Sequence, residues 1–220
     1  MNQRITAINT GIALLLMAIL GGYSLGFALP NFYPLDNSSQ YIQKIKEAYE
    51  LYQNMLYCIG IVLMLDLVVS YTTYLFFKAT NKKIALISGV LRVVYTVFFF
   101  IAILYLIKNT SLENLTNEQI QVNFKTFYDI WNSGLVLFGI HVFLLGILMR
   151  AIGIIPSYLW YTTLFAGVCY TLLHLLKLIP NCQDMADTLV PFLALPMALG
   201  EIGVAIWLLF KGGKNQKQAN

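Results

Sequence analysis

Residues 128–156 read YDIWNSGLVLFGIHVFLLGILMRAIGIIP, and this stretch decides the class of the protein. It contains about 20 mostly apolar residues, which is enough for one α-helix across a bilayer. Tyr128 and Trp131 at its start and Arg150 at its end are typical of side chains that anchor a helix at the two membrane interfaces. His141 lies near the middle, where lipid disfavours polar groups. The stretch therefore predicts a spanning helix with a buried ionisable residue.

The composition of the whole chain agrees with this interpretation. The 220 residues are 59% hydrophobic and 11% charged, whereas soluble domains have roughly 45–50% apolar and about 25% charged residues. The length fits one integral membrane domain over residues 1–220. The net charge of +4 comes from dispersed basic residues, so it does not indicate nucleic-acid binding. The apolar run after Arg4 is too long for a signal peptide and is interpreted as a retained first helix.

Five further apolar runs complete the predicted architecture, which is an all-α membrane protein with a six-transmembrane-helix bundle. The predicted spans are about 8–29, 54–77, 84–107, 130–150, 157–179 and 189–210. Glycines at 139, 200 and 203 are expected to let the fourth and sixth spans approach closely.

Two polar segments are expected to leave the membrane on the same side. After the first span, Pro34 and Asp36–Ser39 indicate a turn. Residues 39–52 then place their apolar side chains on one helical stripe, which predicts a short amphipathic surface helix; a lid over a cavity is the functional alternative. Residues 108–127 form the second polar loop, where Thr116 and Gln119 fit a capping box.

The distribution of lysine and arginine predicts the orientation. The short turns at 78–83 and 150–156 contain basic residues and no acids, so the positive-inside rule places both termini in the cytoplasm. The basic residues expected on that side are Arg4, Lys78, Lys82, Lys83, Arg150, Lys211, Lys214 and Lys217. Those expected on the other side are Lys44, Lys46, Lys108, Lys125 and Lys177, mixed with acids.

No cofactor or metal is predicted. The three cysteines, Cys58, Cys169 and Cys182, have neither CxxC nor Cys/His ligand spacing. A haem held by two histidines is disfavoured because His174 lies near the end of its span and His141 lies roughly 10 Å deeper.

Four ionisable residues at similar depth form the main candidate site, a predicted intramembrane polar layer that could bind a ligand. They are Asp66, Arg92, His141 and Glu201, one on each of four spans. The six-residue turn between spans two and three makes these helices antiparallel neighbours, so we expect an ion pair between Asp66 and Arg92. His141 and Glu201 are expected to face the same interior space.

A second group, Tyr170, His174 and Lys177, follows one face of the fifth span and is expected to form a polar outer stripe. Within it, His174 is expected at the membrane interface with its polar end towards water.

Three functions are considered for the polar layer, and a binding or transport role is favoured over the other two. It could lock the bundle together, with His141 hydrogen-bonded to Glu201. It could bind or move a small molecule, a lipid or a proton. It could also belong to an intramembrane enzyme in which His141 is the base and Ser70 or Ser133 the nucleophile. The partners expected are membrane lipids, a small apolar or amphipathic ligand and a second copy of the chain.

Several segments resemble a family of uncharacterised bacterial multi-pass membrane proteins, filed as domain of unknown function four-three-eight-six. They are Asp66 in span two, ALISGVLR at 85–92, FGIHVFLLG at 138–146, GIIP at 153–156 and GEIGVAIWLLFKG at 200–212. The resemblance implies a bundle of six or seven helices and supplies no activity. We expect a multi-pass protein of the cytoplasmic membrane.

Overall fold

The computed structural model describes residues 2–35 and 38–214. Asp36 and Asn37 of the predicted turn therefore lie outside the described residues, as does Lys217 of the basic set. The described part of the chain contains helices and no strands. The α-helices are α1 (Gln3–Gly21), α2 (Tyr41–Glu47), α3 (Tyr49–Phe77), α4 (Lys82–Lys108), α5 (Asn117–Ile152), α6 (Ser157–Leu178) and α7 (Gln183–Phe210).

Six of these helices are long and apolar enough to cross a membrane, as predicted. They are α1 and α3 to α7. The first span continues beyond α1 through a π-helical segment, Gly22–Ala28, and a 3₁₀ turn, Leu29–Asn31. The six-span prediction from apolar run length is thus confirmed, and five of the six helices extend past their predicted runs, whereas α6 nearly coincides with its run.

α5 differs most from its predicted bounds, because the chain is already helical from Asn117 where a polar loop was expected as far as 127. The predicted capping box at Thr116 is present. The Thr116 hydroxyl accepts from the Gln119 N–H at 3.3 Å, and the Thr116 N–H donates to Gln119 Oε1 at 2.9 Å. Beyond this cap, Ile120, Phe124 and Phe127 repeat at helical spacing and are fully buried. Their burial extends the helix past the membrane-length run.

α2 is the predicted amphipathic helix. Its stripe residues Tyr41 and Ile45 are buried, and the Tyr41 ring lies 5.9 Å from that of Phe124 on α5. The Ile42 N–H donates to Asn117 Oδ1 at 2.8 Å. The apolar stripe of α2 therefore packs on the end of the bundle. The expected continuous helix over 39–52 is interrupted at Ala48, and α3 starts at Tyr49.

The six spanning helices close into a ring. From α3 to α7, each packs against the next in sequence, and α1 packs against both α3 and α7. Arg4 closes the seam between α1 and α7 by donating from Nη1 to the carbonyls of Leu208 at 3.1 Å and Gly212 at 2.8 Å. The first and last described residues, Asn2 and Lys214, therefore lie at the same end of the bundle, called here the termini end. The loop end holds residues 32–35, 38–40, 109–116 and 179–182.

Glycines determine how closely α5, α6 and α7 approach. A Cβ on Gly167 of α6 would lie 2.5 Å from the backbone nitrogen of Phe143, and one on Gly139 would lie 2.5 Å from that of Thr171. A Cβ on Gly203 of α7 would instead meet a side chain, with the Leu159 Cδ1 of α6 at 2.7 Å. Glycines at 139, 200 and 203 were predicted to bring the fourth and sixth spans together. This prediction is wrong, because α6 lies between α5 and α7 and both pack on it.

Apolar side chains fill the two halves of the ring. The loop half is richer in aromatic side chains and continues onto α2, whereas the termini half is mainly aliphatic. The polar residues predicted at mid-depth lie where these two clusters meet. The buried apolar cluster of the termini half includes Val69, Leu145, Leu148, Met149, Leu159, Val204 and Leu208.

Candidate functional site

Asp66 on α3 and Arg92 on α4 form the predicted ion pair. Arg92 donates from Nε at 2.9 Å and from Nη2 at 2.7 Å, both to Asp66 Oδ1. Their side chains are 0% and 2% exposed. The second carboxylate oxygen, Asp66 Oδ2, has no hydrogen-bond partner among the described residues. The prediction from the short α3–α4 turn is confirmed, with the two charges paired in the buried interior.

Arg92 also contacts two further helices. Nη1 donates to His141 Nε2 on α5 at 3.2 Å, and Nη2 lies 3.7 Å from the sulfur of Met17 on α1. The guanidinium carbon lies 5.2 Å from the ring centre of Phe138, in cation–π geometry. Arg92 therefore connects α1, α3, α4 and α5, and most of its N–H groups have an acceptor.

The contacts of His141 define its protonation. A guanidinium has no acceptor, so His141 Nε2 must accept from Arg92 and carries no proton. The proton is then on Nδ1, which lies 2.9 Å from the carbonyl oxygen of Ser88 and 2.8 Å from its hydroxyl oxygen. His141 is thus a neutral ring with both nitrogens occupied. This arrangement gives no support to His141 as a general base, which needs an available lone pair.

Ser88 was not predicted as a member of the layer. It lies four residues before Arg92 on α4, so the two side chains share one helix face. This spacing was the available signal, but serine is common in membrane helices and the spacing alone does not distinguish Ser88.

The two serines considered as nucleophiles donate their hydroxyl groups to backbone carbonyls. Ser70 donates to the carbonyl of Gly89, and Ser133 to that of Asp129, each at 2.8 Å.

Glu201 on α7 has a different partner from the one expected. Its Oε1 accepts from the hydroxyl of Tyr170 on α6, whereas His141 is bonded to Ser88 and Arg92. The hypothesis of a His141–Glu201 hydrogen bond is therefore replaced by a bond between α6 and α7. Glu201 is also less buried than the other three members and keeps partial exposure.

His141 and Glu201 nevertheless line the same small cavity, as predicted. Its volume is about 10 Å³, which is close to the minimum for a single water molecule. The polar side chains around it are Arg92, His141, Thr163 and Glu201. The other lining residues are Leu14, Val142, Leu145, Gly200 and Val204.

The predicted outer stripe has three different environments. Tyr170 belongs with Glu201. His174 is only 8% exposed, and its Nδ1 lies 2.8 Å from Asn132 Oδ1 on α5. Lys177 lies at the surface, where its Nζ is 3.7 Å from an oxygen of Asp187. The expectation that the polar end of His174 points towards water is wrong, because the ring is buried and Asn132 supplies its polar partner.

Within the described ranges, no group of three or more histidine, cysteine or acidic side chains could hold a metal ion. Six apolar helices in a ring around a buried charged layer define a multi-pass membrane protein of the helical-bundle class. The chain belongs to the family described as Domain of unknown function (DUF4386), whose model matches residues 9–212. The family resemblance is thereby confirmed.

An uncharacterized protein of Archaeoglobus fulgidus is similar to this chain. The two are 28% identical over 156 residues, which cover 71% of this chain and 82% of the relative. No solved structure matches the chain.

Proposed function

We propose that the polar layer is an intramembrane proton-binding site in which Glu201 gains and loses the proton. The observation that carries this proposal is the cavity of about 10 Å³ between Arg92, His141 and Glu201. Pockets for small organic ligands have volumes of about 300–1,000 Å³. Of the ligands considered from the sequence, the size of this cavity therefore supports a water-borne proton over a lipid or an organic molecule.

The hydrogen bonds favour Glu201 as the group that changes protonation. Asp66 is paired with Arg92, and the ring of His141 is held neutral between Arg92 and Ser88. Glu201 has one hydrogen bond, from the neutral hydroxyl of Tyr170, and keeps partial exposure. The groups that face it are Arg92 on α4, His141 on α5 and Tyr170 on α6. None of these three groups forms an ion pair with the Glu201 carboxylate.

A purely structural layer is the second candidate. The chain of bonds from Asp66 through Arg92 and His141 to Ser88 joins α3, α4 and α5. Hydrogen bonds between membrane helices contribute about 0.6–2 kcal/mol each. This observation accounts for three members of the layer and leaves Glu201 without a role in the same chain of bonds.

The proposal predicts a carboxyl group that titrates inside the bundle. Infrared difference spectra of the reconstituted protein, taken from about pH 4 to about pH 10, should show a protonated-carboxyl band that is lost in Glu201→Gln. The exposed acid Asp187 provides the matched control, so Asp187→Asn should keep the band. A titration with no component that depends on Glu201 would contradict the proposal and favour the structural candidate.

We further propose that the termini end faces the cytoplasm and that the protein resides in the cytoplasmic membrane. The termini end carries Arg4, Lys78, Lys82, Lys83, Arg150, Lys211 and Lys214, and every acidic side chain of the described residues other than Asp66 and Glu201 lies towards the loop end. The positive-inside rule then supports this orientation.

This orientation predicts the labelling of single cysteines. In a variant with the three native cysteines replaced by serine, an impermeant thiol reagent added to intact cells should label Glu118→Cys at the loop end and spare Lys214→Cys. Permeabilised cells provide the control, since both positions should then react. Labelling of position 214 but not 118 in intact cells would reverse the orientation.

A further inference from the structure

His174 is a buried base outside the polar layer. Among the described residues, the acidic and basic side chains that are less than 9% exposed are Asp66, Arg92, His141 and His174. The first three are joined by the hydrogen bonds of Arg92 to Asp66 and to His141, whereas His174 contacts Tyr170 and Asn132. It lies one helical turn from Tyr170 towards the loop end. A buried basic ring in this position therefore needs its own explanation.

Tyr170, His174 and Lys177 form a line of polar groups along α6. Spacings of four and three residues place them on one helix face, and seven residues rise by about 10 Å. The Tyr170 hydroxyl is bonded to Glu201 at one end of the line. Lys177 reaches the surface at the other end, where it pairs with Asp187. The line thus runs from the proposed proton site to the loop end.

The geometry of His174 suits a group that passes protons. Asn132 Oδ1 is an acceptor, so the 2.8 Å contact places the proton of the neutral ring on Nδ1. The other nitrogen, Nε2, carries a lone pair and has no hydrogen-bond partner among the described residues. The ring is stacked on Tyr170 with a centroid distance of 6.0 Å and an interplanar angle of 19°. One nitrogen is therefore anchored and the other is available.

Among the described residues, no comparable line of polar side chains leads from the polar layer to the termini end. Between the layer and the termini end, the interior is filled by aliphatic side chains of α5, α6 and α7, including Leu145, Leu159 and Val204. Buried hydroxyl groups in that half, such as those of Thr10 and Thr163, donate to carbonyls of their own helices. No buried acidic or basic side chain of the described residues lies there.

We propose that Glu201 exchanges protons with one side of the membrane only, the loop end, and that His174 is the relay on this route. The inference rests on the proposed proton site at Glu201. His174 Nε2 takes a proton from water at the loop end and releases it through water towards Tyr170. The Tyr170 hydroxyl accepts that proton as its own proton passes to Glu201 Oε1, and the carboxylate becomes neutral. Release follows the same atoms in reverse.

The test measures how fast the Glu201 carboxyl band responds to a pH jump. His174→Phe keeps an aromatic ring beside Tyr170 and removes the relay nitrogen. It should slow the response roughly a hundredfold, a typical contribution of a positioned proton-transfer group, while the final amplitude is unchanged. Asp184→Asn, an exposed acid in the first turn of α7 outside the line, should respond within a few-fold of the wild-type rate.

Sidedness is measured separately on the wild-type protein, so the test does not depend on a variant that folds. The vesicles are sorted by whether residue 214 is accessible from outside. A pH jump at the loop end should produce the Glu201 carboxyl band, and a jump at the termini end should not. An equal response from both ends, or an unchanged rate in His174→Phe, would overturn the route while leaving Glu201 as a proton site. Absence of any Glu201 band would overturn both proposals.

Discussion

Arg92→Ala should destabilise the folded protein by about 3–5 kcal/mol, the cost typical of removing one partner from a buried ion pair. Asp66 is fully buried, and Oδ1 receives both of its hydrogen bonds from Arg92. The substitution would leave this carboxylate without a cation and His141 Nε2 without a donor. We expect a clearly lower yield of folded protein in detergent and a lower midpoint of thermal unfolding.

Arg150→Ala is the matched control. Arg150 is also an arginine of a spanning helix, but it is exposed at the termini end, with its guanidinium 5.3 Å from the ring centre of Trp160. Exposed cation–π contacts contribute about 0.5–1 kcal/mol. The control should therefore have a small effect, which separates the loss of a buried pair from the loss of any arginine.

The double variant Asp66→Asn with Arg92→Gln should recover part of the lost stability, because it removes both charges and leaves no unpaired ion in the interior. The comparison requires the two single variants, Asp66→Asn and Arg92→Gln, measured by the same unfolding assay. If the double loss equals the sum of the single losses within about 0.5 kcal/mol, the two groups are not coupled. That result would contradict the ion pair as a source of stability.

Gly167→Ala should have the second-largest effect, a loss of about 3 kcal/mol at the upper end of the usual range for overpacking. The added Cβ would lie 2.5 Å from the nitrogen and 2.7 Å from the Cα of Phe143, and 2.8 Å from the carbonyl oxygen of Gly139. All three atoms belong to the α5 backbone, which cannot rotate away as a side chain could. α5 and α6 would have to separate along their contact.

The control for this prediction is Gly60→Ala on α3. A Cβ at Gly60 would meet nothing within 4 Å, and alanine is favoured over glycine inside a helix by about 0.8–1 kcal/mol. Gly60→Ala should therefore be neutral or slightly stabilising in the same thermal-unfolding assay. Equal losses for the two variants would show that helix packing at Gly167 is looser than the backbone distances indicate.

The sequence by itself determined the positions of the spans and the depth of the polar residues. Both properties depend on distance along a helix axis, and this distance follows directly from residue number. The Asp66–Arg92 pair was predictable for the same reason. The short turn between α3 and α4 leaves only one way to place these helices, and similar depth then brings the two side chains together.

The tertiary structure alone decided the arrangement around the ring. Depth places His141, Glu201 and Tyr170 within reach of the same layer, but it does not say which helices face each other. Because α6 lies between α5 and α7, Glu201 bonds Tyr170 on α6, and His141 turns to Arg92 and Ser88 on α4. His174 is buried for a related reason, since Asn132 on α5 faces it. Such pairings depend on the rotation of each helix about its axis, which side-chain packing across the whole bundle determines and which no single apolar run encodes.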